Sequence, residues 1–120
     1  MKPDKGDELA NRLLDFAVHI IKIVKHLPNT IIGKHIGGQF LRSGTSPGSN
    51  YEESRGAESR ADFIHKLGIV LKELKETRFW LNTILRSEII QPQRIEPIIQ
   101  ECEELCAIIA KSIVTAKKNR

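Results

Sequence analysis

Phe63, Leu67, Val70, Leu74, Thr77, Leu81 and Ile84 follow one another at alternating intervals of four and three residues. A strand would scatter positions at that spacing over both faces, whereas an α-helix brings them onto one. Two more stretches carry the pattern: Leu9, Leu13, Phe16, Ile20, Ile23 and Leu27, and later Ile95, Ile98, Cys102, Leu105, Ile109 and Ile113. A helix with one apolar stripe must bury it against other helices. At 120 residues, with aliphatic residues abundant and aromatics scarce, the chain suits interlocked helices better than a β-sandwich.

Boundary signals divide the chain into four helical segments. The first is expected from about Asp7, a plausible N-cap, to Leu27, where Pro28 disfavours further helix. The second runs from Thr30 to about Arg55. The third opens at Ser59-Arg60-Ala61-Asp62, a capping box with Asp62 in the place of Glu. The fourth starts between Pro92 and Pro97, so one of these two prolines is expected outside the helix or strained. Three short connections favour an all-α, antiparallel, up-down-up-down four-helix bundle, a single domain over residues 1–120 with its core at about 7–116. The basic tail Lys117-Lys118-Asn119-Arg120 is expected to fray.

The second segment has the poorest helix propensity. Pro47 should kink or interrupt it, since it cannot bond the carbonyl of Ser43. Gly33, Gly37, Gly44 and Gly48 fall in one narrow wedge, with Ile36, Phe40 and Leu41 in or beside it. Such a stripe lets another backbone approach closely, either within the protomer or across a subunit interface.

No apolar run approaches the ~20 residues of a membrane span, and the first seven residues lack the apolar region of a signal peptide. The expected location is the cytoplasm, with Cys102 and Cys106 as reduced thiols acting as small hydrophobes in the fourth stripe. Catalytic patterns are missing: there is no Gly-x-Ser-x-Gly and no phosphate loop. Asp62 and His65 make an Asp-x-x-His pair, but carboxylate-bridged di-metal bundles use a Glu-x-x-His motif twice. His19, His26 and His35 read as scattered polar-face residues. The sequence therefore predicts no enzyme, no cofactor and no metal.

The formal charge of +4 leans mildly towards polyanions, and matters only if folding or assembly gathers the basic residues. Lys34, His35, Gly38, Arg42, Thr45 and Ser49 lie on the outer half of the second helix, where hydroxyls beside Lys and Arg suit phosphates. Lys34, Arg42, Lys117, Lys118 and Arg120 are the candidate nucleic-acid contacts. Phe16, Phe40 and Phe63 read as buried, so contacts are expected to the backbone, weakly and without sequence preference. The first helix carries a second stripe, Ala10, Leu14, Ala17, Ile21 and Val24, beside its seam. Its apolar arc is wider than a monomer needs, so Leu14, Val18 and Ile21 are the candidate oligomer interface.

Gln39-Phe40-Leu41-Arg42-Ser43, followed by small residues to Pro47-Gly48-Ser49-Asn50-Tyr51-Glu52-Glu53, resembles the second-helix signature of the 23S rRNA intervening-sequence proteins. Ser59 to Leu67 and Leu71-Lys72-Glu73-Leu74-Lys75-Glu76-Thr77 resemble the third-helix signature, and the likeness extends from about Leu9 to Ile113. Arg42 matches the first Arg of the motif; Ser43 replaces the second, and Ser54 replaces a Gly. This broad family also includes the accessory variability protein of diversity-generating retroelements. The resemblance implies a four-helix protomer in a ring-like homopentamer, with a basic surface for RNA or DNA or a reverse-transcriptase-like partner. Three functions compete: a nucleic-acid-binding accessory oligomer, a protein-binding scaffold, and a metal-dependent bundle enzyme.

Overall fold

The structure is a computed structural model that describes residues 4–119. Among these residues there are four helices, α1 (Lys5–Val24), α2 (Ile31–Arg55), α3 (Arg60–Arg86) and α4 (Pro92–Lys118), and no strand. Each packs chiefly on its sequence neighbours, and α1 and α4 close the bundle with far less contact. The assembly measures 48 × 29 × 19 Å.

Cross-helix contacts fix the antiparallel register. Arg55 at the end of α2 pairs with Asp7 at the start of α1 (2.8 Å), Glu53 lies 3.8 Å from Lys66, and the Cys102 thiol donates to the Leu74 carbonyl at 3.3 Å. One end of the bundle thus holds the starts of α1 and α3 and the ends of α2 and α4. This is the terminal end of the bundle, and the opposite one is the distal end.

The three four-three stripes form the core. Leu13, Phe16, Ile20, Leu67, Leu74, Leu81, Ile84, Ile95, Leu105 and Ile109 are all closed to solvent. Phe40 of α2 joins them, and Cys102 lies among them as a free thiol. The neighbouring Cys106 thiol and burial both push the Cys102 thiol up, which keeps it neutral. Fully burying a large aliphatic side chain is worth roughly 1.5–3 kcal/mol, so these stripes outweigh the poor propensity of α2.

The glycine wedge of α2 packs within the protomer, against α1 and the connection that follows it. A Cβ at Gly44 would lie 2.6 Å from Ile20 Cγ1, and one at Gly33 would lie 1.9 Å from the Pro28 carbonyl oxygen. Gly37 faces Leu27 and Val24, and Gly48 faces Leu13. The choice left open by the sequence is resolved for these four positions. Gly38 is exposed, and nothing lies within 4 Å of its side-chain position.

Several boundaries differ from expectation. The N-cap of α1 is Asp4, not Asp7: its carboxylate accepts from the Asp7 amide (2.7 Å), while Asp7 accepts from the Asp4 amide (3.3 Å). This reciprocal box starts the helix three residues early. At the other end α1 stops at Val24, and His26 and Leu27 tighten into bonds to carbonyls three residues back. Of the kink or interruption expected at Pro47, the interruption does not occur: α2 is one continuous helix with Pro47 buried inside it. Both Pro92 and Pro97 lie inside α4. Pro92 takes the first helical position, where no N–H is missed. Pro97 leaves the carbonyl of Gln93 without its helical partner, and exposure of both residues lets water serve it. Lys117 and Lys118 complete the last turn of α4 and are helical rather than frayed. Arg120 lies outside the described residues.

Candidate nucleic-acid interface

The sequence-predicted basic residues are not gathered on one face. Lys34 is exposed in the first turn of α2, at the distal end. Lys117 and Lys118 are exposed at the terminal end, beyond Arg55. At 1.5 Å per residue, Lys34 and Arg55 alone are about 30 Å apart along the helix. Arg42, between them, is engaged by two carboxylates of α3: Nη1 donates to Glu73 at 2.9 Å and Nη2 donates to Glu76. These bonds raise the Arg42 pKa and hold Glu76 below the usual carboxylate range. A guanidinium so occupied has little charge left for a phosphate. Thr45 and Ser49 bond backward to the carbonyls of Leu41 and Ser46 within their own helix.

A basic constellation that the sequence did not single out lies at the terminal end. A groove of about 860 Å³ opens between the start of α1, the α2–α3 junction and the last turns of α4. Lys5, Arg55, Arg60 and Lys111 line it, with Ser54, Ser59, Ser112, Thr115 and Asn119 between them and Phe63 and Ile108 on its wall. None of the lining residues is acidic. Arg55 is balanced by Asp7 at 2.8 Å and Asp4 at 3.7 Å, which raises its pKa and lowers that of Asp7. Among the described residues, Lys5, Arg60 and Lys111 have no carboxylate within 4.0 Å. Arg60 donates instead to the Ala116 carbonyl at 3.3 Å, which ties α3 to the end of α4. Lys118 follows Lys111 by seven residues, so it extends the charge along the same side of α4.

These residues come from three separated parts of the chain, and only the antiparallel register assembles them. Cation–hydroxyl clusters of this kind hold phosphate oxygens.

The other predicted features separate cleanly. Leu14 is 59% exposed, and Val18 and Ile21 stand beside it on the outside of α1. Leu14 also lines a second groove of about 340 Å³, where Ala10, Leu14 and Ala17 face Thr45, Gly48 and Ser49. His19 and His26 line a groove between α1 and α4 with Asp15 and Glu101. No three His, Cys, Asp or Glu side chains converge on a metal-sized site among the described residues. Among the described residues no helix is long and apolar enough to cross a membrane.

The sequence also missed an exposed aromatic. Phe63 is only partly buried, and Phe79 is 59% exposed on α3. The signal was available, since a helical wheel puts Phe79 opposite the Leu74–Leu81 seam.

Comparison with known proteins agrees with this architecture. A crystal structure of a protein of unknown function from the S23 ribosomal protein family of Bacteroides thetaiotaomicron VPI-5482 is similar over 88% of this chain and 97% of its own, at 40% identity and a TM-score of 0.82. No curated protein matches. The profile of the 23S rRNA-intervening sequence proteins matches residues 8–111, which include all of α2 and α3 and most of α1 and α4. With a profile match over that length and a shared four-helix fold, the chain belongs to the 23S rRNA-intervening sequence protein family.

Proposed function

We propose that this protein is a non-enzymatic accessory factor that self-associates and holds nucleic acid through its phosphates. The terminal groove carries the reading: Lys5, Arg60 and Lys111 present uncompensated charge beside serine and threonine hydroxyls. Phosphate contacts set position without reading bases, so binding tolerates sequence. The outward apolar stripe at Leu14, Val18 and Ile21 supports the self-association. Closure as a five-fold ring, which the family resemblance implies, would repeat the groove around the assembly and multiply a weak contact. The same stripe favours a second reading, a protein-binding scaffold in which a reverse-transcriptase-like or other protein is the partner and nucleic acid plays no part.

Binding of labelled RNA and DNA oligonucleotides, titrated from about 50 to about 200 mM salt, separates the two. The expected result is weak binding whose log affinity falls linearly with log salt. Arg60→Glu with Lys111→Glu should weaken it at least about tenfold and flatten the salt slope. Lys34→Glu at the distal end should change it far less. Absence of binding by the native protein in low salt would leave the scaffold reading in its place.

A further inference from the structure

Phe79 is the one aromatic among the large apolar side chains exposed in the described bundle. Its ring stands in water on the outside of α3, where a polar residue would cost nothing. At ~100° per residue, Lys72, Lys75, Phe79 and Arg86 fall within an arc of about 60°, along about 21 Å of helix. All four are exposed. The phenyl ring is not loose. It packs in a T-shaped arrangement with Trp80, centroids 5.0 Å apart and planes at 78°. Trp80 is pinned in turn, because its indole N–H donates to Glu76 at 3.2 Å and its ring abuts His35. Glu73 and Glu76, the carboxylates on that flank, are both held by Arg42. Lys72, Lys75 and Arg86 have no carboxylate within 4.0 Å among the described residues. Arg42 therefore offsets one of these two negative charges and draws both carboxylates towards α2, which lessens the acidity of that flank without removing it.

A line of cations with a propped aromatic face between them is what an unpaired nucleic-acid strand needs. Phosphates track the cations, and a base with a free π-face stacks on the ring regardless of its identity. A duplex offers the phosphates only, because its base faces are already stacked. We infer that the outer face of α3 is a track for single-stranded RNA or DNA, with Phe79 as the stacking platform and Lys72, Lys75 and Arg86 as the phosphate contacts. This surface lies apart from the terminal groove. The inference rests on the nucleic-acid reading above and adds the class of strand.

Trp80 is the sole tryptophan, and its contact with Phe79 makes its fluorescence a local reporter. Oligo-dT, oligo-rU and a duplex of equal length are titrated at one salt concentration. The single strands should bind more tightly than the duplex and change the Trp80 emission. Phe79→Ala should lower single-strand affinity by about fivefold or more, with an unchanged salt slope and unchanged duplex binding. Phe79→Tyr should restore it. Lys72→Gln and Lys75→Gln should each reduce the single-strand slope by about 0.7. Light scattering and thermal melts of each variant check assembly and folding. Equal affinity for strand and duplex with no effect of Phe79→Ala overturns this inference and leaves the groove reading standing. If Phe79→Ala dissociates the assembly instead, the ring is covered by another subunit and the inference is again wrong. If no nucleic acid binds at all, the nucleic-acid reading falls and takes this inference with it.

Discussion

At the scale of single residues, the glycines of α2 show why identity without context misleads. Gly33, Gly38 and Gly44 all carry the usual helix cost of roughly 1 kcal/mol relative to Ala. Their surroundings give substitutions opposite signs. Gly38→Ala meets open space, so it should raise stability by about 0.5–1 kcal/mol. Gly33→Ala forces a methyl into the Pro28 carbonyl and should destabilise by about 2 kcal/mol or more, as overpacking against backbone does. Urea midpoints of the two variants decide it, and a destabilised Gly38→Ala would show that this position is covered. The wheel placed the glycine wedge correctly from sequence. It could not name α1 as the partner, because a wheel describes one helix at a time. Phe79 is hard to read for a different reason: it lies opposite the seam of α3, where the apolar repeat carries no signal.

At the scale of elements, Arg42 makes the same point. On the wheel of α2 it faces outward and reads as a phosphate ligand. Its partners Glu73 and Glu76 sit on α3, reached only once the two helices pair antiparallel. The four helices themselves were legible, three from stripes that repeat over several turns and α2 from its boundary signals and glycine wedge. Their ends were less so, because capping depends on side-chain reach: Asp4 and Asp7 cap each other, and sequence alone favoured the nearer residue. The α2–α3 ion pair also sets a pH dependence. The Glu76 pKa is lowered, first by its bond from Arg42. A carboxylate depressed in the fold stabilises above its unfolded value of about 4.3, and that contribution is lost as pH falls through the folded value. Half-exposed pairs contribute at most about 1 kcal/mol. The native protein should therefore lose more stability than Glu76→Gln between neutral pH and the acid range below about 4. Parallel curves in denaturant titrations across that range would show that the pair contributes nothing.

At the scale of the molecule, the order of packing matters more than any one contact. The chain winds α1 on α2, α2 on α3 and α3 on α4, and leaves the α1–α4 seam sparsely packed. Arg12 bridges that seam to Glu101 at 2.5 Å and to Glu104 at 3.1 Å. The outer side of α1, with Leu14, Val18 and Ile21, faces away from the core. Replacing Leu14 and Ile21 by Lys should convert the proposed oligomer to monomer with helicity intact, read by light scattering and circular dichroism. A native mass equal to one chain at micromolar concentration would refute assembly outright. The fold and the apolar surplus were thus readable along the chain, while the terminal groove was not, since Lys5, Arg60 and Lys111 meet only in the finished bundle. The same bundle limits how it can respond to whatever it binds. Its α1–α2 joint works as a key with unevenly cut teeth, the glycines being spaced four, seven and four. A slip of one turn would drive Phe40 or Leu41 into a notch now filled by Gly44 or Gly37. No neighbouring register accepts the key, so a one-turn ratchet between these helices is closed to it. A ligand at either end must act on a locked pair that moves as one body.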